Sequence, residues 1–497
     1  MSMTQENIVE LISSMEAGLS DDSREIRPGD VFVAVKGISS DGHDHIDEAF
    51  SKGARAVVCD DRYFLKHHPR SEELVPVPDT RETLGLLAKK KFKDPSKELS
   101  VYGVTGTNGK STTVSIIESV FSSMRIPCGI TGTVFNKIRG EELERSEMTT
   151  PGILKLNGML REMADSGKRA AAVEISSHAL DQKRVSGIEL DGAIFTNLTP
   201  EHMDYHKDMT RYFQAKLKIF ENVRPRGICV LNADSDMIKD IAEIMKSPGV
   251  VTFGFHPESG VSCRNVNMGP DGSEFDMLFN GKNEGRVKSP LQGKHNISNA
   301  LGAAALFLKK GFSPEIIIKG LENTRAVPGR LEKVPSTASF RVYVDYAHTP
   351  DALKSALESV RMITSKKLFC VFGCGGDRDR QKRPVMGRIA SEISDTIILT
   401  DDNPRKEDPG SILREIESGI LPGTEFKVIR DRRDAIFYAI SKAKEGDSVI
   451  IAGKGHENYQ LFMDRTIHFD DMETAVSALR EMGYACRPDE PAGKVYE

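Results

Sequence analysis

The stretch VYGVTGTNGKST, Val101 to Thr112, followed by TVSIIESVF, decides how the chain is read. A β-branched run enters a glycine-rich turn, and an apolar-periodic helix pattern leaves it. Backbone N–H groups of such a turn, together with the positive end of the helix dipole, cradle phosphate oxygens. Lys110 supplies a point charge there, and the Ser111 hydroxyl can hold Mg²⁺. The spacing departs from the strict phosphate-loop pattern, because Val104 stands where the first glycine belongs and glycines lie at 103 and 106 instead. A glycine turn that merely packs a strand on a helix is the alternative. The ordered succession of strand, turn, Lys-Ser and helix speaks against it.

Outward from this turn, short β-branched runs alternate with helix-length amphipathic stretches, which predicts layered α/β domains with largely parallel sheets. At about 150 residues per domain, 497 residues predict three domains, divided at 1–97, 98–333 and 334–497. The first block carries candidate strands at Val31 to Val35 and Ala56 to Cys59, and KKKFKDPSKELS, Lys89 to Ser100, reads as a helix end and a linker. The second carries Val101 to Val104, Ala171 to Glu174, Ala193 to Thr196 and Gly227 to Leu231. The third opens after PSTAS with Phe340 to Asp345 and continues with Leu368 to Phe372, Thr396 to Leu399 and Ser448 to Ala452.

Composition narrows the class. Apolar residues at 39% and charged residues at 28% are the usage of a soluble globular protein, and no apolar run approaches the ~18 residues of a membrane span. A formal charge of −5 gives no reason to expect nucleic acid as a partner. The seven cysteines are scattered and form no CxxC pair, against both a disulfide framework and a zinc ribbon. The opening MSMTQENIVELISSM has no basic n-region or cleavage site, so a cytoplasmic protein is expected.

Two further segments carry chemistry. AAAVEISSHALDQKRV, Ala170 to Val185, reads as a strand ending in Glu174, where a carboxylate beside a phosphate loop can ligate Mg²⁺. In FTNLTPEHMDYHKDMTRYFQAKLKIF, His202, Asp204 and His206 fall at i, i+2 and i+4. A role around nucleotide metals, a zinc site, and plain loop hydrogen bonding are all open for them, although no HExxH spacing accompanies the cluster.

GTNGKST, EISSHALDQKR, NLTPEHMDYH, AKLKIF, GKHNISNALGAAA, PGRLE and DYAHTPDAL, in this order, resemble the motif set of the Mur ligases. DSREIRPGDVFVAVKG and DGHDHI are similar to that family's uridine-nucleotide domain, so the resemblance covers nearly the whole chain. It implies a three-domain architecture: a UDP-sugar-binding domain, a central P-loop-type ATP-binding domain and a Rossmann-like C-terminal domain that binds the amino acid. The implied activity is ATP-dependent amide ligation through an acyl phosphate. In the members most similar to this chain, meso-diaminopimelate is added to the D-Glu carboxylate of UDP-N-acetylmuramoyl-L-Ala-D-Glu in peptidoglycan precursor synthesis.

Site residues follow from the matched motifs. Gly106, Thr107, Asn108, Gly109, Lys110, Ser111 and Thr112 would bind the ATP triphosphate, with Ser111 and Glu174 on a first Mg²⁺ and His202 on a second. The resemblance adds a lysine carbamylated by CO₂ at that second metal; Lys216 and Lys218 both stand in AKLKIF, and the family pattern favours Lys216. A carbamate turns a cation into an oxygen ligand that suits a hard metal. Asn299, with His295 nearby, would contact adenine, and Arg330 and Asp345 would contact ribose and phosphate, with His348 on the same turn. Ser23 and the Ser39–Ser40 turn match uridine-diphosphate contacts; Thr149, Thr150, Ser176, Gln182 and Arg184 match muramoyl-dipeptide contacts, and Met148 replaces an Asn of some relatives.

The third block would choose the amino acid through Arg378, Asp402, Asn403, Pro404, Arg405, Gly453 and Glu457. DNPR, Asp402 to Arg405, is similar to the signature of diaminopimelate-adding members. A planar guanidinium grips the far carboxylate of that diamino acid bidentately, whereas lysine leaves it unpaired. The alternatives are the same reaction with L-lysine, a folylpolyglutamate synthase-like ligase, a nucleotide-dependent binding module and a zinc hydrolase. A monomer without nucleic-acid partners or a membrane span is expected.

Overall fold

The computed structural model describes residues 5–14, 17–37, 40–64, 70–238, 241, 249–486 and 495–496. Three principal sheets follow one another along the chain. The first has four parallel strands, β1 (Leu19–Ser20), β2 (Val31–Val33), β3 (Ala56–Asp60) and β4 (Leu74–Val77), in sequential order.

The central sheet has nine strands. Its parallel part contains β5 (Ser100–Thr105), β6 (Cys128–Thr131), β7 (Ala170–Glu174), β8 (Leu190–Phe195), β9 (Val223–Asn232) and β10 (Val250–Phe253). Strands β11 (Val261–Gly269), β12 (Gly272–Phe279) and β13 (Lys282–Ser289) complete it in the order β13-β12-β11-β10-β9-β8-β5-β7-β6. The sheet has two buried faces because side chains alternate along each strand. Tyr102 and Val104 pack against α1 (Lys110–Ser123) and α2 (Lys294–Lys309), while Val101 faces Leu156 and Leu160 of the Ile153–Asp165 helix. Strands buried on both faces read as continuous apolar runs, which is why they were legible.

The third sheet has the order β14-β15-β19-β16-β17-β18, from β14 (Glu332–Lys333), β15 (Arg341–Asp345), β16 (Leu368–Phe372), β17 (Thr396–Leu399), β18 (Glu425–Val428) and β19 (Ser448–Ala452). Helices Pro350–Ile363 and Lys382–Ile393 cover one face, and Arg432–Lys442 and Asp471–Glu481 the other.

One boundary expectation needs correction. Glu332 and Lys333, assigned to the end of the central block, pair antiparallel with Val344 and Tyr343 and belong to the third sheet. The central sheet is largely parallel as expected, and β11 to β13 add an antiparallel meander at one edge that the sequence did not reveal. Their polar alternation, as in KNEGRVKS, hid them: one face is solvated and no long apolar run results. No helix among the described residues is long and apolar enough to cross a membrane.

Candidate active site

Ligands of open parallel sheets bind outside the carboxyl ends of the strands. In the central sheet β5 ends at Thr105 before the glycine turn, β7 ends at Glu174, and β8 ends at Phe195 before Thr196 and Asn197. In the third sheet β15, β16, β17 and β19 end just before Tyr346, Gly373, Thr400 and Gly453. The motifs scattered over the sequence are therefore neighbouring loops.

The glycine turn is braced from several sides. Asn108 N donates to Asn197 Oδ1 at 2.8 Å, and Thr196 Oγ1 to Asn108 O at 2.6 Å. Gly109 has φ +85, and a Cβ there would collide with the Asn299 amide. Asn299 thus seats the turn against α2. Gly109 gives α1 no side-chain cap, leaving the first helical N–H groups for an anion. Lys110 Nζ lies back over the turn, 3.0 Å from Gly106 O and 2.8 Å from Thr107 O. Burial lowers its pKa, and Glu201 and Glu174 oppose that. Arg330 Nη2 reaches Ser111 Oγ at 3.3 Å. Asn108, Ser111, Thr112, Asn299, Arg330 and Asp345 share a narrow cavity of about 120 Å³, which meets a cleft of about 1220 Å³ at His295, Asp351 and Ser355. The partly buried Asp345 carboxylate accepts from the Leu331 and Ala347 amides at 2.6 and 2.8 Å, and so fixes the linker between domains.

The Glu174 carboxylate accepts from Thr133 N and Thr133 Oγ1, each at 2.9 Å. Thr133 Oγ1 is 3.0 Å from Thr149 Oγ1, Thr150 Oγ1 donates to Glu174 O at 2.8 Å, and Ser176 N donates to Thr150 Oγ1 at 3.0 Å. Arg184 Nη2 donates to Gln182 Oε1 at 2.8 Å and Nη1 to Thr150 O at 3.0 Å. Thr149, Thr150, Ser176, Gln182 and Arg184 thus form one network. Met148 touches it through the Arg184 guanidinium. Ser23 stands apart in the first domain, its hydroxyl donating to Glu48 Oε2 at 2.8 Å. Ser39 lies outside the described residues.

Lys216 is buried, with Nζ 2.7 Å from Gly106 O and 4.5 Å from the Tyr212 ring centroid. Burial and the nearby Lys110 charge hold its pKa well below the ordinary lysine range. Lys218 instead makes an exposed pair with Asp181 at 2.9 Å. His202, at φ 58, packs edge-on against His178 with ring centroids 4.6 Å apart. Burial, reinforced by the neighbouring His202, pushes His178 down to about 4. Of the three readings open for His202, Asp204 and His206, the geometry does not favour zinc. His206 turns its Nε2 to Ser177 Oγ at 3.0 Å, Asp204 is exposed, and among the described residues no group of three His, Cys, Asp or Glu can hold a metal. The donors that remain, a hydroxyl at Ser111 and a carboxylate at Glu174, are hard oxygen ligands that fit Mg²⁺.

Sequence reasoning missed Glu201. Its carboxylate lies 3.5 Å from His202 Nε2 and 3.5 Å from His348 Nε2, joining the central and third domains. Burial alone would raise its pKa, but His348, His202 and Lys110 hold it far below the usual carboxylate range. The dipeptide Glu201–His202 was visible in the sequence; its approach to His348 was not.

A cleft of about 760 Å³ brings Glu201, His202 and His348 together with Arg378, Asp402, Asn403, Arg405, Gly453 and Glu457. Arg405 has a left-handed backbone (φ 54), its N donating to Leu461 O at 3.0 Å and its Nη1 to Gly376 O at 2.9 Å. It has no carboxylate partner among the described residues, so its guanidinium can take one from a ligand. Asn403 Nδ2 donates to Glu457 Oε2 at 2.8 Å. Gly453, at φ +121, sits where a Cβ would be 2.6 Å from Asp402 Oδ2. Arg378 is exposed at the rim, and Pro404 is buried behind it. Arg383, fully buried, donates to Glu407 and Glu415 and ties the Arg378 loop to the Arg405 loop.

Comparison with known proteins matches residues 17–92 to the Mur ligase family, catalytic domain, residues 104–307 to the Mur ligase middle domain, and residues 329–455 to the Mur ligase, glutamate ligase domain. The chain is 42% identical over 468 residues to the UDP-N-acetylmuramoyl-L-alanyl-D-glutamate--2,6-diaminopimelate ligase of Geobacillus thermodenitrificans, covering 93% of this chain and 94% of the relative. It is 38% identical over 464 residues to the ligase of the same name from Clostridium botulinum, with the same coverage. A solved structure of a ligase of that name superimposes with a TM-score of 0.66 at 30% identity, covering 94% of this chain and 95% of the other. The folylpolyglutamate synthase of Mycobacterium tuberculosis, at 16% identity and a TM-score of 0.59 over 82% of this chain and 96% of the other, shares the fold alone.

Proposed function

This chain belongs to the Mur ligase family, and from that premise we propose that it joins meso-diaminopimelate to the D-Glu carboxylate of UDP-N-acetylmuramoyl-L-Ala-D-Glu at the expense of ATP. The carrying observation is the shared cleft, where Arg405, Asn403 and Glu457 of the third domain face His202 and Glu201 of the central domain.

The reaction transfers the γ-phosphoryl group of ATP to the D-Glu carboxylate, releasing ADP. The amine of the diamino acid attacks the acyl phosphate carbon, and the tetrahedral intermediate expels phosphate as the amide forms. No protein nucleophile is needed. The work of the chain is to hold three reactants in line and match developing charge. In this reading the amides of Gly106 to Thr112 and the Lys110 ammonium grip the triphosphate. Asn299 faces the adenine side, and Arg330, beside Ser111, takes a phosphate oxygen with Asp345 holding the linker behind it. Ser111 and Glu174 would hold one Mg²⁺, and His202 with a carbamate on Lys216 a second; the metal supplies charge neutralisation on the phosphate oxygens. The depressed pKa of Lys216 supports the carbamate, since CO₂ adds to the neutral amine with loss of a proton. Ser23 would meet the uridine diphosphate, and Thr149, Thr150, Ser176, Gln182 and Arg184 the muramoyl dipeptide. Arg378, Asp402, Asn403, Pro404, Arg405, Gly453 and Glu457 would receive the diamino acid. Closure of the domains keeps water from the acyl phosphate. A nucleotide-sugar substrate and ATP fit a cytoplasmic enzyme, and a site drawn from one chain fits a monomer.

The test is reconstitution with ATP, Mg²⁺, the UDP-muramoyl dipeptide and either diaminopimelate or lysine. Orthophosphate released in step with amide formation, and only with diaminopimelate, is the expected result. Phosphate release without a new amide, or equal use of lysine, overturns the reading.

A further inference from the structure

In AGKGHENYQ, Lys454 stands between two glycines, a setting in which lysine is ordinarily a solvated loop residue. In the structure it is fully buried. Lysine is among the residues least often found inside, and an ammonium is costly to bury unless acceptors surround it. Its surroundings show what it is for.

Lys454 Nζ donates to Asn403 Oδ1 at 3.0 Å, lies 3.4 Å from Glu457 Oε2, and is 5.5 Å from the Tyr459 ring centroid. The same Asn403 oxygen accepts from Leu461 N at 3.0 Å. An ammonium has only donors, so the Asn403 carbonyl must face it. The amide is then turned the one way that lets Nδ2 donate to Glu457 Oε2. Leu461 O in turn accepts from Arg405 N, which ties the backbone of the guanidinium-bearing residue to the same array. Asp402 lies alongside: burial would raise its pKa, yet Lys454 and Arg432 hold it below the ordinary value, so it stays ionised. Lys454 thus stands between two carboxylates, Asp402 and Glu457, while Arg405 lines the same cleft with no carboxylate partner among the described residues. The cleft therefore presents both a carboxylate acceptor at Glu457 and a guanidinium donor at Arg405, which suits the end of a ligand that carries an ammonium and a carboxylate together.

The geometry points to Lys454 as a positioning residue of the diamino-acid site: it never meets the ligand, but through Asn403 and Glu457 it sets the acceptors that would. This rests on the ligase reading above.

Steady-state phosphate release with the full chain tests it, using Lys454→Met, Lys454→Gln and Lys454→Arg. Loss of one partner from a buried charged network is large enough for the Lys454→Met enzyme to show a KM for diaminopimelate at least about tenfold higher. Its KM for ATP and for the UDP-muramoyl dipeptide stays within about twofold. Lys454→Gln, which keeps an N–H for Asn403 without the charge, and Lys454→Arg, which keeps the charge, should each recover part of the loss. They carry the test if the Met variant melts below assay temperature. An unchanged KM for diaminopimelate, or a parallel rise for all three substrates, overturns the assignment while leaving the ligase reading intact. A wild-type chain that ignores diaminopimelate removes both.

Discussion

Lys216 Nζ lies 2.7 Å from the carbonyl oxygen of Gly106, so a helix end beyond position 210 meets the first residue of the glycine turn. Lys218, two residues on, points to Asp181 in solvent. Lys216→Ala is expected to abolish ligation while Lys218→Ala keeps activity within about twofold, exposed ion pairs contributing little. Coupled measurement of ADP and amide product decides it; a fully active Lys216→Ala enzyme removes the carbamate.

Arg405 holds only backbone carbonyl company in the cleft. Arg405→Ala should lower kcat/KM for diaminopimelate by roughly 10³-fold or more, because the far carboxylate loses its bidentate partner in a desolvated site. Lysine, which lacks that carboxylate, should lose far less. Side-by-side kinetics with both amino acids give the ratio, and equal losses would argue for a structural role.

Glu201 sits between His202 and His348, its carboxylate 3.5 Å from the Nε2 of each ring. Glu201→Gln keeps the shape and removes the charge. We expect kcat to fall about 10–100-fold, the usual cost of losing a carboxylate that orients a ligand histidine, with a smaller change in the KM for ATP. A variant with wild-type kcat would leave Glu201 as a purely interdomain contact.

Arg432 and Asp471 form a fully buried pair at 2.7 Å beneath the Gly453 loop. Asp471→Ala strands the guanidinium and should destabilise the third domain by about 3–5 kcal/mol. Urea unfolding followed by circular dichroism measures this. Replacing both residues with apolar ones of similar volume should cost much less than the single change.

Burial pushes His295 down to about 4 from an ordinary value of 6.5. Above pH 6.5 the ring is neutral in the folded and unfolded chain alike. As pH falls from there toward 4, the unfolded chain binds a proton that the folded one refuses, so stability is lost across that window. Melting temperatures between pH 7 and 4.5 should fall, and His295→Gln should flatten part of the slope. A slope identical in the two proteins would rule the residue out.

These residues differ in how far the sequence revealed them. Glu174 ends a strand with a continuous apolar run, and Lys110 and Ser111 open the helix that follows another such strand across the glycine turn, so their places followed from local pattern. From DNPR and AGKGHE the motifs singled out Asp402, Asn403, Arg405, Gly453 and Glu457, which line one cleft, but nothing in them marked Lys454 as buried. Lys454 and Arg405 are both cations in glycine- or proline-flanked loops; one is sealed beneath the site and the other opens into it. Burial depends on neighbours 50 or more residues away, and no periodicity records them.

Order and type of the motifs, read along the chain, determined the α/β class, the three-part architecture and the strand, glycine turn and helix from Ser100 to Ser123, because each depends on hydrophobic alternation and on residues adjacent in sequence. Only the tertiary structure decided that β15, β19, β16 and β17 stand side by side with their carboxyl-end loops in contact, that β14 joins the third sheet, and that Glu201 meets His348. The physical reason is range: strand propensity is a local property, whereas the pairing order of parallel strands and the desolvation of charges are settled by packing between segments far apart in the chain.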